Sequence, residues 1–436
     1  MTSNATSNVE SSVICPSCGA GVPVDAGYPS WCEGCGWNVD PYPPKPPTTR
    51  AQRAATRSLA RIDEMYKTIT TSDAVGRAAS ASKTKAYALA VGVHAVSAAL
   101  LGLLVWAVAW PGLFLLVRVL FALVFALLLV AVLPRPQRPL RQLNVVDRAR
   151  APQLWQLIDR VAQAVGAPAP RYVAIEPALG FGSAVCGVRR RRVLIVGAAS
   201  WLTLTPEERV AALGRELVTA RGSMGGRAVI SGAIGSLQRW GPILRVADLK
   251  QWESYRLASG IVTSCIEQRI YASFLMPHGM VEDELAGGLF DLATLVPRNL
   301  VRPYMRALLT STALADQPLF LAGDLASAAA GSTAGAVGLL RDSALESVVA
   351  LDLERAQRAG KKEWQQLVSS VTSLPAREVE RLQRVDRLRA ARTDDAHAAT
   401  SARIDVLLAR PATAAKVYLG ESDDAAVRAE LVTFAR

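Results

Sequence analysis

Residues 189–221 read RRRRVLIVGAASWLTLTPEERVAALGRELVTAR, and the fold turns on how this stretch is parsed. The run RVLIV at 192–196 is apolar and largely β-branched, as a short buried strand requires. Thr205-Pro206-Glu207-Glu208 then supplies an N-cap, a proline in the first turn and a glutamate three residues after the cap, which starts a helix. Val210, Leu213 and Leu217 follow at helical spacing. A strand therefore feeds an amphipathic helix, and the four arginines at 189–192 are a solvated hairpin turn rather than a nucleic-acid patch.

Working outward, Leu154, Leu157, Ile158, Val161 and Val165 share one face of a preceding helix, and residues 171–176 have strand character. Residues 252–276 and 300–322 are expected to be helical. Residues 324–336, DLASAAAGSTAGA, form a small-residue run, and 338–436 read mostly as charged helix. The fold class is mainly α and multidomain, with a small sheet. At 436 residues the chain suits two or three units, and 51% apolar against 20% charged residues is enough to build a core.

Toward the N-terminus, four of the six cysteines form two Cys-x-x-Cys pairs, Cys15/Cys18 and Cys32/Cys35, separated by thirteen residues. Each pair is followed by glycine, which permits the tight turn that points two thiolates at one centre. Four thiolates close a tetrahedral shell around Zn²⁺ and leave no position for water, so the site is expected to be structural. No secretory signal is visible in residues 1–14, which places the cysteines in a reducing compartment where they bind metal rather than pair. Cys186 and Cys265 read as small buried thiols. Residues 41–49, PYPPKPPTT, form a semi-rigid linker, and 50–85 a basic helical stalk.

Residues 86–109 carry no formal charge, and 112–133 carry only Arg118. Each stretch exceeds the roughly 20 residues that cross a bilayer core, and Trp110-Pro111-Gly112 breaks them apart. A transmembrane helical hairpin is expected. Basic residues on both flanks put the soluble parts on the cytoplasmic side, with Arg118 snorkelling outward and His94 making a helix-packing hydrogen bond. The net charge of +12 is assigned chiefly to these flanks. Nucleic acid is an unlikely partner, since Asp25, Glu33 and Asp40 make the cysteine module slightly acidic.

Several linked phrases resemble the zinc peptidases that include HtpX and the CAAX prenyl endopeptidases, family forty-eight of the metallopeptidases. They are APQLWQLIDRVAQAVGAP, RYVAIE, Ser183-Ala184 before a turn, RRRRVLIVGAASWLTLTPEERVAAL, and the late segment DAHAATSARIDVLLARP at 395–411. The resemblance is carried by residues 145–290 and extends loosely over the remainder. It implies a gluzincin-like domain in which a helix-borne His-Glu-x-x-His grips zinc and its glutamate activates water. Arg215 stands here in place of the first histidine and Thr219 in place of the second, while Glu216 alone matches. A protonated arginine repels a metal ion. The family's third ligand is a glutamate in a downstream Glu-x-x-Ala-Asp phrase, for which the nearest stretch is 267–273; Arg269 fits the ligand position there better than Glu267 does. The whole chain has three histidines, His94, His278 and His397, and no two can form a helical grip.

The resulting expectation is a zinc ribbon (1–40), a Pro-rich linker and basic stalk (41–85), a transmembrane hairpin (86–133) and a cytoplasmic peptidase-like domain with a C-terminal helical extension (140–436). It is read as a pseudopeptidase at the inner face of a bacterial-type membrane, not an enzyme, binding or scaffolding a protein partner, with structural Zn²⁺ on the four cysteines and no small-molecule cofactor. Two alternatives stand beside it. One is a membrane zinc peptidase with an atypical site on Glu216, Glu267 and His278. The other is a membrane-tethered nucleic-acid binder working through the ribbon and stalk.

Overall fold

The computed structural model describes residues 12–25, 27–43, 46–48, 50–71, 75–110, 112, 114–132, 144–176, 180–186, 191–221, 227–243, 284–358, 374–390, 392 and 396–434. Residues 252–276, which include Glu267 and Arg269, and His278 beyond them lie outside the described residues. The protein is mainly helical with a small sheet.

The N-terminal module is a short antiparallel hairpin, β1 (Ser12–Ile14) with β2 (Gly21–Pro23). Helix α1 (Arg50–Thr71) and helix α2 (Val75–Ala109) follow, then α3 (Leu115–Val132). Strands β3 (Val145–Val146), β4 (Tyr172–Glu176), β5 (Phe181–Cys186) and β6 (Arg191–Gly197) make a four-stranded sheet in the order β3-β4-β6-β5. Only β4 and β6 are parallel, and β5–β6 is the hairpin expected around the arginine run.

Alternation along the strands sorts their faces. Val173, Ile175, Leu194 and Val196 join the main core with Leu154, Leu157, Ile158 and Val161 of α4 (Pro152–Ala164). Ala174, Val193 and Ile195 face the other way. The amides at the start of α4 are held by a remote carboxylate: Gln153 and Leu154 each donate to Glu430, at 2.9 Å, from α11 (Glu421–Phe434). After α5 (Ala198–Thr203), helix α6 (Pro206–Arg221) begins with the expected reciprocal cap. The Thr205 amide donates to Glu208 Oε2 at 2.7 Å, and the Glu208 amide to Thr205 Oγ1 at 3.4 Å.

Helix α7 (Arg227–Ile243) leads toward the long α8 (Glu284–Arg358), which is broken at Gly331 and Ser332. The small-residue run explains itself in how α8 meets α6. A Cβ on Gly214 of α6 would stand 2.8 Å from the Ala330 Cβ and 3.0 Å from the Ala326 carbonyl oxygen, so the two backbones nearly touch. The break does not leave its polar groups bare. The Lys416 and Val417 amides donate to the Ala329 and Ala330 carbonyls, and Ser332 Oγ bonds Glu207 Oε2 at 2.7 Å. Helices α9 (Ala376–Arg389) and α10 (Thr400–Leu408) complete the domain with α11.

Among the described residues one helix is long and apolar enough to cross a membrane, Ser80–Ala109 within α2; the apolar part of α3, Leu115–Val130, is shorter. The long helix is not apolar-exposed throughout. Ala86, Ala90 and Val93 are buried in a core shared with α7 and α8, and His94 Nε2 lies 2.9 Å from the Val229 carbonyl of α7. The stretch from 86 is therefore partly a domain helix, with one face turned outward: Val91 is 57% exposed. Farther along, Leu101, Val105, Trp106 and Val108 are exposed, as are Leu116, Leu120 and Leu127 of α3. Arg118 donates to the Trp110 carbonyl at 2.8 Å, closing the bend between the two helices.

Candidate functional site

Two constructions carry chemistry: the four cysteines and a buried charge cluster. In the first, two knuckles are built alike. The Cys15 amide donates to Ala20 O and the Gly19 amide to Cys15 O; the Cys32 amide donates to Trp37 O and the Gly36 amide to Cys32 O. Gly19 and Gly36 sit at φ of 73° and 74°, where a side chain would strain the turn. The four sulfurs lie within 4.8 Å of one another, with Cys15–Cys35 and Cys18–Cys32 each at 3.6 Å. A tetrahedral thiolate shell with metal–sulfur bonds of about 2.3 Å has edges of about 3.8 Å, so Cys15, Cys18, Cys32 and Cys35 fit a metal ion. Among the described residues this is the one group of three or more Cys, His, Asp or Glu placed to do so.

The module does not hang from its linker. Helix α9 offers a row of arginines to its backbone carbonyls: Arg377 to Trp31 O, Arg381 to Val39 O at 2.9 Å and Arg384 to Glu33 O at 2.7 Å. Arg389 grips Asp40 through two nitrogens, at 2.8 and 2.5 Å, and holds its carboxyl below the usual carboxylate range. Trp31 is 1% exposed, with Arg377 and Arg384 over its ring, and packs with Val39 and Val385. Of the acidic residues noted in the sequence, Asp40 thus meets Arg389, and Glu33 lies 3.8 Å from Arg377.

The charge cluster lies where α6 faces α8. Gly323 of α8 leaves no side chain between the helices; a Cβ there would stand 3.1 Å from Thr219 Cγ2 and 3.4 Å from Arg215 Cγ. Thr219 Oγ1 turns back to the Arg215 carbonyl at 2.5 Å. Arg215 Nε lies 3.2 Å from Glu216 Oε1. Burial pushes the Glu216 carboxyl up, and the charges of Arg215, His397 and Arg403 pull against that.

Asp324, next after Gly323, binds Arg403 of α10 through both oxygens, at 2.8 and 2.5 Å, and accepts the Tyr66 hydroxyl of α1 at 2.6 Å. Both ends of this pair are 1% exposed. Burial alone would raise the Asp324 carboxyl, but Arg403, Tyr66 and Arg215 outweigh it and hold it low, while burial and the neighbouring carboxylate push Tyr66 up. One turn before Asp324, Phe320 stacks on His397 at 3.9 Å.

The structure thus brings Arg215 and Thr219 to the α6–α8 interface, with Glu216 paired to Arg215. The helix that faces them is α8 around 317–330; the stretch 267–273 assigned that place from the sequence lies outside the described residues. Tyr66, Asp324 and Arg403 were not singled out in the sequence. The usable signal was an aspartate opening the small-residue run together with Arg403-Ile404 in the late segment. No family model, curated protein or solved structure matches the chain.

Proposed function

We propose that this protein is a membrane-held pseudopeptidase: a peptidase-like helical domain that has exchanged its catalytic metal for internal ion pairs and is kept for binding or scaffolding a protein partner. The observation that carries the reading is the Arg215–Glu216 pair at the α6–α8 interface. If α6 is the counterpart of the His-Glu-x-x-His helix, the Arg215 guanidinium takes the first histidine's place and neutralises the one matching residue. The facing helix supports the same register. The family phrase Glu-x-x-Ala-Asp finds a better counterpart in Phe320-Leu321-Ala322-Gly323-Asp324, where phenylalanine replaces the ligand and Asp324 is retained, bound to Arg403 of the late Arg-Ile segment.

On this reading Cys15, Cys18, Cys32 and Cys35 hold Zn²⁺, whose role is to fix the two knuckles so that the module keeps its shape against α9. The membrane anchor is α2, with α3 returning as the second arm of a hairpin and both soluble parts cytoplasmic. The basic helix α9 spends its arginines on the module, which weighs against a nucleic-acid surface there. The proposal is tested by grafting ligands. Arg215→His with Thr219→His should bind no second zinc, and adding Phe320→Glu should create a second, chelatable site. Zinc uptake by the first pair alone would show that the register is wrong.

A further inference from the structure

A cleft of about 800 Å³ opens between α1, α2 and α8 at the foot of the long apolar helix. Met65, Pro303 and Leu314 give it apolar walls, and three helices each send it one cation: Arg61, Lys85 and Arg306. Glu64 is the single acidic lining residue, so 3 − 1 leaves a charge of +2. None of the three cations forms an ion pair with a described residue, and Asp63, close to Arg61 in sequence, is engaged by Arg392. Such unmatched charge against apolar walls suits a ligand that is anionic at one end and greasy at the other.

The position of the cleft identifies that ligand. Ala88 and Val91 are the first residues on the outward face of the apolar part of α2. At 1.5 Å per residue, Lys85 stands about 5 Å below Ala88 along the helix axis. The polar headgroup layer is about 5–8 Å deep on each side of a bilayer. With the outward face of α2 in the hydrocarbon, Lys85 lies at headgroup depth, and Arg61 and Arg306 line the same cleft. We propose that this cleft binds the headgroup of one anionic phospholipid, its phosphate on Arg61, Lys85 and Arg306 and its chains leaving past Pro303 toward the apolar part of α2, since Tyr304 of α8 lies against Leu89. The assignment rests on the reading that α2 enters a membrane, and it gives the domain a fixed height and orientation on that membrane.

The test uses the full chain in membranes of phosphatidylcholine with a minority of phosphatidylglycerol, extracted in mild detergent, with retained lipids counted by native mass spectrometry. The wild type should retain phosphatidylglycerol about tenfold above its membrane fraction. Arg61→Gln/Lys85→Gln/Arg306→Gln should return the retained lipid to the bulk ratio. Lys83→Gln, at the same height but outside the cleft, should change nothing. Should the triple variant not fold, Arg61→Gln alone, at an exposed position, should lower the preference severalfold. An unchanged preference in the cleft variants, an equal loss in Lys83→Gln, or displacement of the lipid by inorganic phosphate would overturn the proposal. Release of the wild type from membranes by alkaline carbonate would refute the membrane reading itself, before any lipid is counted.

Discussion

Replacing Asp324 with asparagine removes one charge from the best-enclosed ion pair described in the chain while keeping the side chain's size. Arg403 would then be a guanidinium 1% exposed to solvent that has lost the carboxylate it grips through two nitrogens, and Tyr66 would donate to an amide oxygen. Breaking a buried pair at one end costs about 3–5 kcal/mol, because the surviving charge has lost its compensation. The same change at Asp159, whose pair with Arg148 is 40–58% exposed, should cost less than about 1 kcal/mol. In a domain of this size a loss of about 4 kcal/mol lowers the melting temperature by about 10 °C. The assay is thermal unfolding of the purified full chain for Asp324→Asn, Asp159→Asn and the double change Asp324→Leu/Arg403→Met. The double change should recover most of the loss, since replacing both charges with apolar groups removes the desolvation penalty as well. A melting temperature for Asp324→Asn as close to wild type as that of Asp159→Asn would refute the claim that this pair pins α1, α8 and α10 together.

Three further outcomes follow from the same geometry. Asp324 has a depressed folded pKa, so its stabilisation is present above the pKa of an unfolded aspartate and is lost as pH falls through the folded value; acid titration of stability should be flatter in Asp324→Leu/Arg403→Met. Glu216 is shifted the other way, and Arg215→Met should raise it further, so that variant should lose stability relative to wild type as pH rises through the elevated Glu216 value. Trp31→Ala removes the buried ring against which Arg377 and Arg384 lie, and limited proteolysis should then cut within 41–49 much faster while the main domain stays resistant.

Much of the architecture was legible because it is written in local chemistry. Thr205 to Glu208 announced the start of α6, and glycine after each second cysteine announced both knuckles. The β-branched run at 192–196 gave β6. What stayed hidden depended on partners distant in sequence. The alanine- and glycine-rich face of α8 has no hydrophobic period, since its purpose is close approach to α6, so its role could not be seen until Gly214 and Gly323 were placed. Ala86, Ala90 and Val93 form a buried face, but inside an unbroken apolar stretch such a face looks no different from one meant for lipid. The arginines of α9 read only as part of a charged helix, because only the fold shows that the carbonyls of Trp31, Glu33 and Val39 lie opposite them.

The central claim, a peptidase-like interface closed by an ion pair in place of a metal, is tested most directly by counting zinc. Purified full-length protein should contain one zinc per chain. The variant with Cys15, Cys18, Cys32 and Cys35 all changed to serine should contain none, and neither protein should cleave unfolded casein. A second zinc that survives loss of the four cysteines, with casein cleavage that a chelator abolishes, would contradict the account.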